Sequence, residues 1–291
     1  MTGREYRRCA TWARAWLAVL VLAWLTPLWA KTTVVYPQPE SGDERQNYPR
    51  KLLALALTKA GSEFELRPSA RVMTQSRALS QLSNGVDINV VWSMTSKERE
   101  EMFLPIRIPI EKGLLGWRIF LINKNKANQF AAVKTLDDLK KYEAGQGHDW
   151  PDTEILRANG LKVQASSQYD GLFKMLQSGR IDYFPRSILE IWAEAKNHPD
   201  MDLEVEKTVI LQYPTALYFF VNKDDAALAK LIETGLRAAI KDGSFDKLFV
   251  TEYGDDIKRA NLKGRTRFQM QNPLLPSLTP FQDKKLWFDA W

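Results

Sequence analysis

The chain has 291 residues, with 41 Lys and Arg against 35 Asp and Glu and a formal net charge of +6. Its one cysteine, Cys9, excludes a disulfide framework, and the absence of any basic block argues against a nucleic-acid groove. Arg4, Arg7, Arg8 and Arg14 face only Glu5 in the first 30 residues, so the rest of the chain carries about +3.

These arginines precede the apolar run WLAVLVLAWLTPLWA, residues 16–30, which ends in Ala30. A charged start, a run shorter than the roughly 20 residues that span a bilayer, and a small exit residue make a secretory signal peptide. The expectation is export to the periplasm and cleavage after Ala30, leaving a chain that starts at Lys31. About 260 residues then remain, enough for one or two sizeable cores.

From there short apolar runs alternate with amphipathic stretches, which predicts an α/β protein. Residues 32–36 (TTVVY) read as a buried strand. Residues 48–61 read as a helix, with Asn47 as N-cap, Pro49 in the first turn and Gly61 past the end. A second strand is expected at 63–66, a helix over 74–82 stopping near Gly85, and a third strand at 86–92. Thr95 and Glu98 have capping-box spacing, which starts the next helix near Thr95. A second series opens with a strand at 116–123 (GWRIFLIN). It continues through the helix TLDDLKKY, a Gly-rich turn at GQGHDWPD, and helices at 153–159 and 170–178. Gly179 leads into a strand at 181–184, then a helix over 187–196, an extended stretch at 203–211 and a strand at 215–221. Helices at 225–241 and 244–253 close the series. The tail from Asn261, rich in Pro, Trp and Phe, shows no periodicity and is expected to wrap a surface.

The segment LSQLSNGVDINVVWSMTSKERE resembles the helix, Asp-containing strand and Thr/Ser-rich turn of the family 3 extracellular solute-binding proteins, the periplasmic receptors of amino-acid transporters. KTLDDLKKY, LFKMLQSGRIDYF and DAALAKLIETGLRAAIKDGSFDKLF resemble further segments of that family, in the same order. The resemblance implies a type II periplasmic-binding-protein fold, two α/β lobes joined by two crossing strands. Lobe 1 would hold residues 31–115 and 216–261, lobe 2 residues 116–215, with 262–291 as a tail on the surface. The implied function is capture of a small polar, carboxylate-bearing solute between the lobes, for an ABC transporter permease or a separate membrane sensor. The implied receptor is a monomer with no cofactor and no nucleic-acid partner. Two other classes stay open: a dehydratase- or lyase-like enzyme on the same scaffold, with Glu40 or Glu190 as its cleft carboxylate, and an interaction protein using the aromatic tail.

Arg99 matches the family arginine that forks onto the ligand carboxylate, where a planar guanidinium donates two parallel bonds and Lys cannot. The alternative is a surface arginine paired with Glu98. Ser93, Thr95 and Ser96 stand beside it, as donors to a ligand or as turn and cap residues. In lobe 2 the family's ammonium-binding Asp falls on Ser187, preceded by Arg186 and followed one helical turn later by Glu190. Three readings are open there: Glu190 takes over, the ligand is neutral or more anionic, or Arg186 faces solvent at a helix start. Tyr36, Glu40, Arg45 and Tyr48 surround the first strand-to-helix turn, which faces the cleft in this fold. An aromatic there stacks on the ligand or belongs to the core. Gly145 and Gly147 permit close backbone approach beside His148, and Trp150 is either a cleft wall or packed beneath the loop. His148 and His198 are too far apart in the chain to suggest a metal site.

Overall fold

The computed structural model describes residues 31–39 and 43–288, the side chain of Glu44 excepted. The expected signal peptide, its cleavage site and Glu40 lie outside the described residues. The β-branched start forms β1 (Thr32–Gln38), paired in parallel with β2 (Phe64–Val72) so that Val34 lies opposite Leu66. The helix between them, Asn47–Lys59, buries Leu52, Leu53, Ala56 and Leu57. Asn47 is not its cap. A 3-10 turn, Glu44–Gln46, runs straight into the helix and is held by Asp43, which accepts from the backbone N–H of Arg45 at 3.1 Å.

A three-stranded sheet has β11 (Leu217–Asn222) at its centre, antiparallel to β3 (Val90–Met94) and β4 (Phe103–Ile106). β3 starts at Val90 rather than residue 86 because Asp87, at φ 61°, turns the chain just after Gly85. Its extended course reaches Thr95, whose N–H donates to Ala216 O at 2.8 Å. The cap of the helix Lys97–Met102 therefore falls on Ser96, whose Oγ accepts from Arg99 N at 3.2 Å. The expected cap, Thr95, instead donates its hydroxyl to Glu100 at 2.7 Å.

The large sheet contains β5 (Trp117–Asn123), β6 (Glu143–Gly147), β7 (Lys162–Ser166), β8 (Tyr183–Ser187), β9 (Leu203–Val205), β10 (Val209–Gln212) and β12 (Thr266–Gln269). Its order is β12-β10-β5-β8-β6-β7, with β9 also on β5. Apart from Arg118 and its last residue, Asn123, β5 is apolar along both faces, and Ile119, Phe120 and Leu121 are fully covered, the pattern of a strand enclosed on both sides. Three expectations change here. The Gly-rich stretch is strand up to Gly147, with the helix Pro151–Ala158 after it. Ser187 ends β8, and the next helix is only Ile191–Asn197. The extended run at 203–211 breaks at Glu206, whose buried carboxylate accepts from Val209 N at 2.8 Å and lies 3.4 Å from Arg265.

The chain passes between the two groups of strands side by side, with Tyr213 N donating to Gly116 O at 3.1 Å and Ile110 N to Leu217 O at 3.0 Å. The long helices Ala226–Lys241 and Ser244–Arg259 return to the first group. Gly235 lets the first of them cross Asn47–Lys59 closely: a Cβ there would lie 1.7 Å from the Ala56 carbonyl oxygen. The tail contributes β12, parallel to β10 with Phe268 opposite Leu211. Four residues are too few to leave a period in the sequence. The tail then reaches the first group, where Lys97 N donates to Leu274 O at 3.0 Å, and ends with Phe288 N donating to Lys112 O at 2.9 Å. Among the described residues no helix is long and apolar enough to cross a membrane.

Candidate functional site

A cavity of about 240 Å³ lies where the two groups of strands meet. Gln75, Trp92 and Ser93 line it from the first group. Arg118, Asp149, Trp150, Asp152, Arg186 and Glu190 line it from the second.

Arg99 stands directly behind this lining and is 7 % exposed. The cap on Ser96 and the short helix aim its side chain back along β3. One terminal nitrogen donates to Ser93 Oγ at 2.7 Å and Met94 O at 2.9 Å. The other donates to Gln75 Oε1 at 2.7 Å and Asp149 O at 3.4 Å. All four acceptors are neutral, and among the described residues no carboxylate lies within ion-pair distance. Burial pushes the guanidinium down to about 10, against the opposing fields of Asp149, Asp152 and Glu98. The alternative of an exposed arginine paired with Glu98 is thereby removed. The carboxylate of Asp149 crosses to the N-terminus of the helix Gln75–Asn84, accepting from Ser76 N at 3.2 Å and from the Ser76 hydroxyl.

The opposite wall is a buried charge network. Arg118, 2 % exposed, pairs with Asp152 at 2.6 Å and Glu190 at 3.3 Å, and its Nε donates to the Tyr213 hydroxyl at 3.0 Å. That hydroxyl in turn donates to Asp152. Arg186 pairs with Glu190 at 3.0 Å and forks onto Glu194 at 2.7 Å, while Tyr169 donates to the same carboxylate at 2.7 Å. Burial alone would raise Glu194, but the charge and hydrogen bonds of Arg186 hold it below the usual carboxylate range. Arg186 also lies 4.7 Å from the ring centre of Trp150. It faces this network rather than solvent, because it sits inside β8 and not at a helix start.

Ser187 is fully buried and does not line the cavity. Its hydroxyl donates to Leu114 O at 3.2 Å and accepts from Leu189 N at 3.2 Å, closing the turn after β8. Glu190 does line it, already held by two arginines. Trp150 lines the cavity and also covers Gly147, where a Cβ would lie 2.5 Å from its ring, so both readings of that tryptophan hold. Gly145 is closed over by Ile181 in the same way, at 2.3 Å. The close approach at these glycines is thus taken up by the protein's own side chains. Tyr36 is core, its ring 5.7 Å from Trp92, which lines the cavity in its place. Arg45 is clamped by Asp43 at 2.7 Å and lies over the Tyr169 ring at 4.2 Å, bridging the two groups of strands. Tyr48 is buried and donates to Ile110 O at 2.8 Å. His148 is half-exposed at the rim. His198 stacks on Phe173 at 3.7 Å. Among the described residues no group of three His, Cys, Asp or Glu is placed to hold a metal ion.

Gln75, Arg118, Glu111, Asp149 and Asp152 are site residues that sequence reasoning missed. One of them carried a signal: Arg118 is a single charge inside the apolar string GWRIFLI. A charge in such a string is buried only when it is paired or working. Glu111 is 5 % exposed, and burial together with the Glu190 charge pushes it up to about 8.

No family model and no curated protein matches the chain. Solved structures do. An ancestral arginine-binding protein bound to arginine matches with a TM-score of 0.57 and 20% identity, over 77% of this chain and 98% of that one. A Bacillus subtilis protein titled a probable amino-acid ABC transporter extracellular-binding protein matches with a TM-score of 0.60 and 19% identity, over 78% and 99%. A histidine kinase sensor domain with similarity to periplasmic binding proteins gives 0.56 and 16%, over 77% and 96%. At these identities the likeness establishes the fold, the type II periplasmic-binding-protein fold with two α/β lobes.

Proposed function

We propose that this chain is a family 3 solute-binding protein that captures a small polar, carboxylate-bearing solute between two lobes. Lobe 1 comprises residues 31–115 and 216–261 and lobe 2 residues 116–215, with 262–291 a tail whose β12 adds to the large sheet. The observation that carries the reading is Arg99. A buried guanidinium that donates only to neutral acceptors is an uncompensated charge, and a ligand carboxylate replacing Gln75 Oε1 and Asp149 O supplies the missing counter-ion. The network on the other wall sets the two cations Arg118 and Arg186 against the three carboxylates Asp152, Glu190 and Glu194, and this surplus of negative charge suits a cationic group of the solute.

The N-terminal segment supports export to the periplasm. The neighbours named for an ABC transporter and a kinase sensor support delivery of the closed form to a permease or to a separate membrane sensor. The test is a thermal-shift screen of amino acids, dicarboxylates and small peptides, since a ligand that binds only the folded state raises the melting temperature. Arg99→Ala abolishes that rise with an unchanged circular dichroism spectrum. A rise that survives the substitution removes the proposed site.

One observation favours a catalytic reading. Glu111, lining the cleft and pushed up to about 8, has the proton affinity of a general acid or base. Glu190 is instead paired with the two arginines Arg118 and Arg186. Conversion of a screened compound into product, lost in Glu111→Gln, is the outcome that would establish it.

A further inference from the structure

Beyond the contact of Arg45 with Tyr169 the cleft continues into a second cavity of about 620 Å³. Asp43, Arg45, Glu111, Tyr169 and Glu190 line both spaces. The rings of Tyr48 and Tyr253, 4.7 Å apart, stand beside Glu111 in the second one. Glu111 Oε1 accepts from the Tyr253 hydroxyl at 3.4 Å, whereas Oε2 is buried with no hydrogen-bond partner among the described residues. A buried carboxyl oxygen without a partner, on a side chain that lines a cavity, marks a place for a donor.

The charges around it say which kind. Asp43 is taken by Arg45, Glu194 by Arg186 and Tyr169, and Glu252 by Lys51 at 2.7 Å. Asp170 and Asp256, on the more exposed part of the lining, have no ion pair among the described residues, and against them stands the exposed Lys174. Unpaired acids, tyrosine rings in the lining and one unpartnered carboxyl oxygen suit an organic ammonium, which gains from both carboxylates and aromatic rings.

We propose that this second cavity binds an elongated organic cation, an alkyl diamine or polyamine. Its inner ammonium donates to Glu111 Oε2 against Tyr48 and Tyr253, and its outer end meets Asp170 and Asp256. The site is independent of Arg99. The groups facing Glu111 are Glu190, which raises it together with burial, Arg118, which opposes them, and the hydroxyl of Tyr253. With Glu111 pushed up to about 8, ammonium binding near neutral pH ionises a carboxyl that is mostly protonated beforehand, and a proton leaves.

The experiment is calorimetric titration of the purified protein with 1,5-diaminopentane and with spermidine, in two buffers of different ionisation enthalpy. Saturable binding is expected, with proton release at pH 7. Glu111→Gln weakens it roughly ten-fold or more and removes the proton release, since a hydrogen bond to a charged group is lost. Asp256→Asn, a change near the surface, weakens it by roughly three-fold. Arg99→Ala leaves it intact, so its outcome separates this site from the solute site. No saturable heat at millimolar amine overturns the proposal. So does binding indifferent to both acidic substitutions, or binding lost in Arg99→Ala, which would place the amine in the first cavity.

Discussion

The side-chain oxygen of Gln75 accepts from Arg99 at 2.7 Å, so the first residue of one helix occupies the guanidinium presented by the next. The amide is a neutral stand-in for the carboxylate we assign to Arg99. A ligand has to displace it, giving up a hydrogen bond with a net value of about 1 kcal/mol. Gln75→Ala is therefore expected to tighten binding of the carboxylate ligand by roughly five-fold, read by calorimetry. Weaker binding would mean that Gln75 touches the ligand itself.

The second wall gives a stability prediction. Arg186→Met leaves Glu194 buried without an ion pair, with the Tyr169 hydroxyl and the more distant charge of Arg45, and breaking such a pair on one side costs about 3–5 kcal/mol. Adding Glu194→Leu removes the stranded charge and recovers most of the loss. Urea unfolding of the single and double variants measures both. Equal stability of the two would show that Glu194 finds another partner.

Glu111 predicts a pH dependence of opposite sign to that of an ordinary carboxylate. Its proton is held up to about 8 in the folded protein against an ordinary value of 4.5, so the folded state binds more protons than the unfolded one between those limits. The contribution is present in full below pH 4.5 and is lost as the pH rises through 8. At about 1.4 kcal/mol per unit, the loss is on the order of a few kcal/mol. Glu111→Gln should flatten the fall in melting temperature between pH 5 and 8.5 and be the more stable protein at the alkaline end.

The helix crossing at Gly235 admits no side chain. Gly235→Ala places a methyl group 1.7 Å from the Ala56 carbonyl, and the two helices must separate. Overpacking of this kind destabilises by about 1–3 kcal/mol, despite the better helix propensity of alanine. A lowered melting temperature with an unchanged helical spectrum is expected.

Much of the architecture was legible because each element carries its own local cause. TTVVY is β-branched, Leu52, Leu53, Ala56 and Leu57 repeat on one helix face, and Gly61 and Gly85 end helices with positive φ. The misplaced boundaries have causes that are not local. Ser96 rather than Thr95 caps its helix because the Thr95 N–H is already engaged by Ala216, far along the chain. Ser187 belongs to a strand because β8 keeps its register with β5 as far as Arg118. The site divides in the same way. Arg99 was visible through the segment around it, while Gln75 reaches it only once the first group of strands has folded, and Asp149 only where the two groups meet. Arg118 was visible as a lone charge in an apolar run, but its partners were not.

The pairing of β12 with β10 has a further consequence, for assembly. Without residues 266–269, β10 would offer an open row of backbone N–H and C=O groups beside Val209, Ile210 and Leu211, a template on which another chain could build. A chain stopped at residue 262 is expected to form soluble oligomers or aggregates on size-exclusion chromatography where the full chain does not.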